Sequence, residues 1–132
     1  MNYILDTHAF LWTLFDPRRL SPNAREILLH TDGPIFVSAI TFWEVALKYA
    51  LGKLDLCTIS PDELPRCALD SGFEILAFET EDAATFHRLI RVAHADPFDR
   101  MLVWQTIRRK WTLISCDRAF TEYASHGLSL LW

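Results

Sequence analysis

Apolar positions along the chain follow two rhythms. Short continuous apolar runs alternate with longer stretches in which apolar residues return every three or four positions. The runs Tyr3-Ile4-Leu5, Ile35-Phe36-Val37, Phe73 to Phe78, Thr112-Leu113-Ile114-Ser115 and Leu128-Ser129-Leu130-Leu131 predict strands. The stretches between them predict helices over Thr7–Leu14, Thr80–Val92 and Arg118–Tyr123, with a further one running to about Lys110. Ser21-Pro22 and Ser60-Pro61 each place a capping hydroxyl before a proline, whose missing N–H costs nothing at the first helical position. They open helices reaching Leu29 and about Leu69. Ser38 is positioned to cap a long helix toward Leu51, which Gly52 ends. Strands alternating with helices predict an α/β fold with a largely parallel sheet covered on both faces. With no repeat, linker or low-complexity segment, residues 1–132 read as one domain.

Two helices carry acids in apolar surroundings. In the long helix after Ser38 the apolar stripe is Ile40, Trp43, Leu47, Ala50, Leu51 and Leu54, and Glu44 flanks it. The later helix has apolar residues on every side (Phe98, Met101, Leu102, Val103, Trp104, Ile107), which predicts a mostly buried element with Asp99 beside Leu102 and Val103. Two more acids follow strands directly: Asp6 after the first, Asp117 after the fourth. In parallel sheets ligands bind outside the carboxyl ends of the strands, so these acids can meet there.

Each acid has a structural explanation when taken alone. Asp6 and Asp117 are placed as N-caps, and Glu44 fits a capping box with Thr41. In "HADPFDR" (94–100), Asp96 before Pro97 is a cap and Asp99 complements the helix dipole. Taken together they raise an electrostatic problem. Two carboxylates ~5 Å apart repel by about 3 kcal/mol at an effective dielectric near 20. A hard divalent cation removes that cost, and oxygen donors suit Mg²⁺ or Mn²⁺. Zinc is disfavoured because no Cys or His pair has ligand spacing. His8 and His94 fall near the acids and are expected to be packing or supporting residues.

The formal net charge of −4 excludes a nucleic-acid binder that works by bulk positive charge. A polyanionic substrate would need local positive charge from a metal or from clustered basic residues, for which Arg18, Arg19, Arg88, Arg91, Arg108, Arg109 and Lys110 are candidates. Three cysteines without C-x-x-C spacing are expected to be buried free thiols, and no stretch is apolar enough to span a membrane; a cytoplasmic protein is expected. Five tryptophans and nine phenylalanines fit either a generous core or an interface.

"ILDTHAFLW", "SAITFWEVALKYALGKL", "HADPFDRMLVWQ", "ISCD" and the closing "LW", in this order and spacing, resemble the PIN-domain ribonucleases, and most closely VapC-type toxins of toxin–antitoxin pairs. The resemblance implies a three-layer α/β/α sandwich and a Mg²⁺- or Mn²⁺-dependent endoribonuclease. Asp6, Glu44, Asp99 and Asp117 would be its catalytic and metal-holding acids, with Ser115 and Thr7 in support. It further implies an RNA substrate, a homodimer and a small antitoxin partner. Trp104 departs from the family pattern, where a smaller residue is usual. A receiver domain would need paired acids after the first strand, a dinucleotide-binding domain G-x-G-x-x-G, and a haloacid-dehalogenase-like phosphatase D-x-D; none is present. The remaining alternative is a catalytically inactive PIN-like RNA-binding module, against which intact acids at all four positions argue.

Overall fold

The computed structural model describes residues 1–132. Five strands, β1 (Tyr3–Leu5), β2 (Ile35–Ser38), β3 (Glu74–Leu76), β4 (Thr112–Ile114) and β5 (Ser129–Leu131), form one sheet in the order β3-β2-β1-β4-β5. Every pairing is parallel. The helices are α1 (Thr7–Phe15), α2 (Pro22–His30), α3 (Ala39–Ala50), α4 (Leu64–Asp70), α5 (Thr80–Thr85) and α6 (Pro97–Arg109).

The period of two along each strand divides the core into two layers. Tyr3, Leu5, Ile35, Val37 and Ile114 pack with Phe10 of α1, Ala24 of α2, Val45 of α3 and Leu64 and Ala68 of α4. Ile4, Leu76 and Leu113 point the other way, onto Leu102 and Val103 of α6 and onto Leu89, Phe120, Tyr123 and Leu128. The result is the expected α/β/α sandwich. Phe10, fully buried and edge-on to Phe42 and Phe73, anchors the first layer; truncating such a residue to Ala costs about 3–5 kcal/mol.

Two of the caps read from the sequence form as expected, whereas Ser60-Pro61 opens a 3₁₀ turn, Pro61–Glu63, in which the Ser60 hydroxyl donates to Asp62, and α4 begins only at Leu64. Ser21 Oγ accepts from the Ala24 N–H and Ser38 Oγ from the Ile40 N–H, and Gly52 follows α3 at φ +71°, a conformation that favours glycine. The Ser38 hydroxyl also donates to Gln105, whose amide donates to the Ala77 carbonyl, so a fully buried glutamine ties α6 to the ends of β2 and β3.

Several local expectations change. The helix expected over Thr80–Val92 stops at Thr85 and tightens into a 3₁₀ turn, Phe86–Arg88. Thr85 donates its hydroxyl back to the Glu81 carbonyl and accepts from the Trp104 indole N–H at 3.1 Å, a tertiary bond that fixes this end. Trp104 thus has a polar partner for its larger side chain. The third strand pairs only over Glu74–Leu76, and Arg118–His126 winds as 3₁₀. The cysteines are free but lie off the core: Cys57 and Cys116 are exposed in loops and Cys67 is half-buried.

The largest difference concerns α3. Its buried face is Ile40, Thr41, Glu44 and Val45. Most of the expected apolar stripe faces outward, with Trp43 57%, Leu47 42% and Leu51 59% exposed. Periodicity identified an apolar face, but within this chain nothing covers most of it.

Candidate functional site

The chain builds β1, β2 and β3 toward one edge of the sheet and then turns back to add β4 and β5 on the other side of β1. The switch point of the topology therefore lies between β1 and β4, where open parallel sheets form a crevice at their carboxyl ends. Leu5 pairs with Ile114, which sets Asp6 and Ser115 side by side although 109 residues separate them.

Asp6 is 4% exposed and each of its carboxylate oxygens accepts one hydrogen bond. Oδ1 accepts from the Ala9 N–H at 2.7 Å, capping α1, and Oδ2 accepts from the Ser115 hydroxyl. Ser115 Oγ in turn accepts from the Asp117 N–H at 3.0 Å. Asp117, exposed, caps the following 3₁₀ turn through Oδ1 on the Ala119 N–H at 2.9 Å. The capping reading of both residues is thus correct, and it leaves Oδ2 of Asp117 without a protein partner.

Glu44 does not form the expected capping box, because Thr41 lies inside α3 and Ser38 holds the cap. Glu44 is 4% exposed; it accepts from the Thr7 hydroxyl at 2.6 Å and pairs with Lys48 one turn on. Thr7 and Thr41 are also within hydrogen-bond distance, joining α1 to α3 beneath the acids.

Asp96 caps α6, its Oδ1 accepting from the Asp99 N–H at 3.0 Å. Asp99 instead meets His94, whose Nε2 lies 2.8 Å from Oδ2. The imidazole is held flat against Phe120, at 5.4 Å between ring centres, and Tyr123 donates its hydroxyl to the His94 carbonyl. Donor atoms of His94, Asp99 and Asp117 all lie within 4.8 Å of one another.

Three small networks thus meet at one edge: Asp6–Ser115–Asp117, Thr7–Glu44–Lys48, and His94–Asp99. Their charges are coupled. Burial pushes the Asp6 carboxyl up to about 6, against the hydrogen bonds from Ser115 and Ala9, and the Asp99 charge adds to the rise. Burial also raises Asp99, opposed by His94 and assisted by the negative charges of Asp96 and Glu44. Two carboxyls raised by burial and by neighbouring negative charge, beside the acids Glu44 and Asp117, form a donor set suited to a hard divalent cation.

His94 and Lys48 were the residues the sequence reading undervalued. Lys48 had a visible signal, the i,i+4 spacing from Glu44. His94, expected as a packing or supporting residue near the acids, is held against Asp99 by its packing on Phe120 and Tyr123, which sequence spacing does not show.

Comparison with known proteins agrees with this geometry. "Ribonuclease VapC22" of Mycobacterium tuberculosis is 28% identical over 129 residues, covering 98% of this chain and 97% of that protein. The DNA-bound VapBC structure from Salmonella typhimurium superposes with a TM-score of 0.67 at 18% identity, covering 99% of this chain and 97% of that chain. VapBC-5 from Mycobacterium tuberculosis, a member of the VapBC family of toxin–antitoxin systems, gives a TM-score of 0.59 at 18% identity over 98% and 97% of the two chains. The PIN domain family matches residues 3–125, and the chain belongs to that family.

Proposed function

We propose that the protein is a metal-dependent endoribonuclease, the toxin of a toxin–antitoxin pair, with Asp6, Glu44, Asp99 and Asp117 as its catalytic acids. The observation that carries this reading is the acidic edge at the topological switch point: donor atoms of His94, Asp99 and Asp117 lie within 4.8 Å of one another, and the charge of Asp99 is felt by Asp6 and that of Glu44 by Asp99. The name of the VapC22 relative and the toxin–antitoxin neighbours support the substrate class and the partner.

In this reading Asp6, Asp99 and Asp117, with Glu44, hold Mg²⁺ or Mn²⁺. The chemistry such an ion supplies when bound is Lewis acidity toward water and toward the phosphodiester. The chain's own residues do the positioning. Ser115 and the Ala9 N–H fix both oxygens of Asp6, and Thr7 fixes Glu44 from below. His94 orients Asp99 by holding one of its oxygens, and Lys48 neutralises Glu44. The unpartnered oxygen of Asp117 is available to a water or an ion.

A homodimer is supported by the outward face of α3. Trp43 also borders a hollow of about 630 Å³ lined with Ile40, Phe78, Phe86, Pro97 and Met101. An apolar surface of this kind on a soluble protein marks an interaction site. No helix is long and apolar enough to cross a membrane.

The test is cleavage of total cellular RNA by purified protein free of any partner. Cleavage should require Mg²⁺ or Mn²⁺ and stop on addition of EDTA. Cleavage that persists in EDTA, or none with any divalent metal, would refute the reading.

A further inference from the structure

Asp117, His8, Trp12, Arg19 and Cys116 line a cleft of about 360 Å³. That size falls within the range of roughly 300–1,000 Å³ for ligand sites. His8 and Trp12 stand one turn apart on α1 with ring centres separated by 5.9 Å, and Trp132 packs 5.8 Å from Trp12. Arg19, from the 3₁₀ turn Pro17–Arg19, lays its guanidinium over the Trp12 ring at 4.5 Å from the centroid.

Arg19 differs from its neighbour. Arg18 pairs with Asp16, whereas the Arg19 side chain has no carboxylate in reach and donates no hydrogen bond to the protein. Its plane is set by the indole while its N–H donors stay free. In a chain of net charge −4, an oriented cation without a counter-ion beside an acidic site matches an anionic ligand.

We propose that this cleft seats the nucleotide flanking the scissile phosphate. Arg19 donates to the backbone phosphate, and the exposed His8 imidazole and the edge of Trp12 carry the base. Proteins that hold single strands combine these two elements, a cation on the backbone and aromatic rings under the bases. The inference rests on the ribonuclease reading and adds a substrate subsite outside the acid cluster.

The test is binding of labelled, mixed-sequence single-stranded RNA to the full chain in EDTA, over a series of salt concentrations, beside cleavage assays in Mn²⁺. Arg19→Ala should raise Kd by about tenfold and lower the slope of log K against log salt by about 0.7, the value for one phosphate contact on a single strand. Arg19→Lys should keep the slope and lose part of the affinity, because an ammonium lacks the planar fork. His8→Ala should weaken binding with the slope unchanged. If wild type binds and cuts RNA while Arg19→Ala matches it in Kd and slope, the subsite is refuted and the ribonuclease reading stands. Loss of the slope in Arg19→Lys as well would also refute it, since the charge would then not be acting on a phosphate. Wild type that neither binds nor cuts would overturn both.

Discussion

Asp96 and Asp99 lie three residues apart with different tasks. Asp96 caps α6, and serine can replace it in that role. Asp96→Ser should keep most of the cleavage activity and lose at most about 1 kcal/mol in a denaturant melt. Asp99→Asn should remain folded by circular dichroism, with cleavage at saturating Mn²⁺ reduced by orders of magnitude, since an amide is a poorer metal ligand. A dead Asp96→Ser beside an active Asp99→Asn would reverse the assignment. His94→Ala removes the partner that orients Asp99, and isothermal titration should show Mn²⁺ affinity reduced about tenfold or more. Asp6 provides the pH dependence. Its folded pKa is raised to about 6, chiefly by burial, so the native state holds this proton more tightly than the unfolded chain does. Stability of the metal-free protein should therefore fall as pH rises from roughly 4, the unfolded value, through about 6, and level off above. Asp6→Asn should flatten that fall and melt above wild type at pH 8 in EDTA; an equal or lower Tm would show that the Ser115 and Ala9 bonds outweigh the cost of the buried charge.

At the scale of elements, α3 shows what periodicity reveals and what it leaves open. Its cap at Ser38 and its end at Gly52 follow from local chemistry and form as expected. Its stripe of Trp43, Leu47 and Leu51 was equally visible in the sequence, but an apolar face does not say whether the same chain covers it. Here Thr41, Glu44 and Val45 turn inward, where the Thr7 hydroxyl of α1 donates to Glu44 and lies within hydrogen-bond distance of Thr41. Leu47→Glu with Leu51→Glu should leave the fold intact and convert the expected dimer to a monomer in sedimentation velocity. A double variant that stays dimeric would place the interface elsewhere. The same distinction applies across the chain. The strands, the Ser21-Pro22 helix start and the positions of the acids follow from sequence because short-range rules govern them. The end of α5 at Thr85 depends on an indole 19 residues away, and the role of His94 on its packing against Phe120 and Tyr123. Those features arise from tertiary contacts, which local pattern does not encode.

For the molecule as a whole, acids at one sheet edge raise one another's carboxyl pKa values in the metal-free protein, against the hydrogen bonds that hold them. Mn²⁺ at about 100 times its Kd should stabilise the native state by ~2.7 kcal/mol, a rise in Tm on the order of 5–10 °C by scanning calorimetry. Asp99→Asn should show a smaller rise, and equal shifts in the two proteins would argue against Asp99 as a ligand. The sheet order has a separate consequence for the timing of synthesis. Asp6 and Glu44 emerge early from the ribosome, but β1 lies in the middle of the sheet and needs β4 at its side before Asp6 can meet Ser115. His94, Asp99 and Asp117 also come late in the chain. A nascent polypeptide halted before β4 therefore has three of the four acids but neither Ser115 nor Asp117, and no crevice to hold them. On the ribonuclease reading, the chain can assemble no cutting site until its last quarter has been translated, so the order of the strands itself delays activity to the end of synthesis.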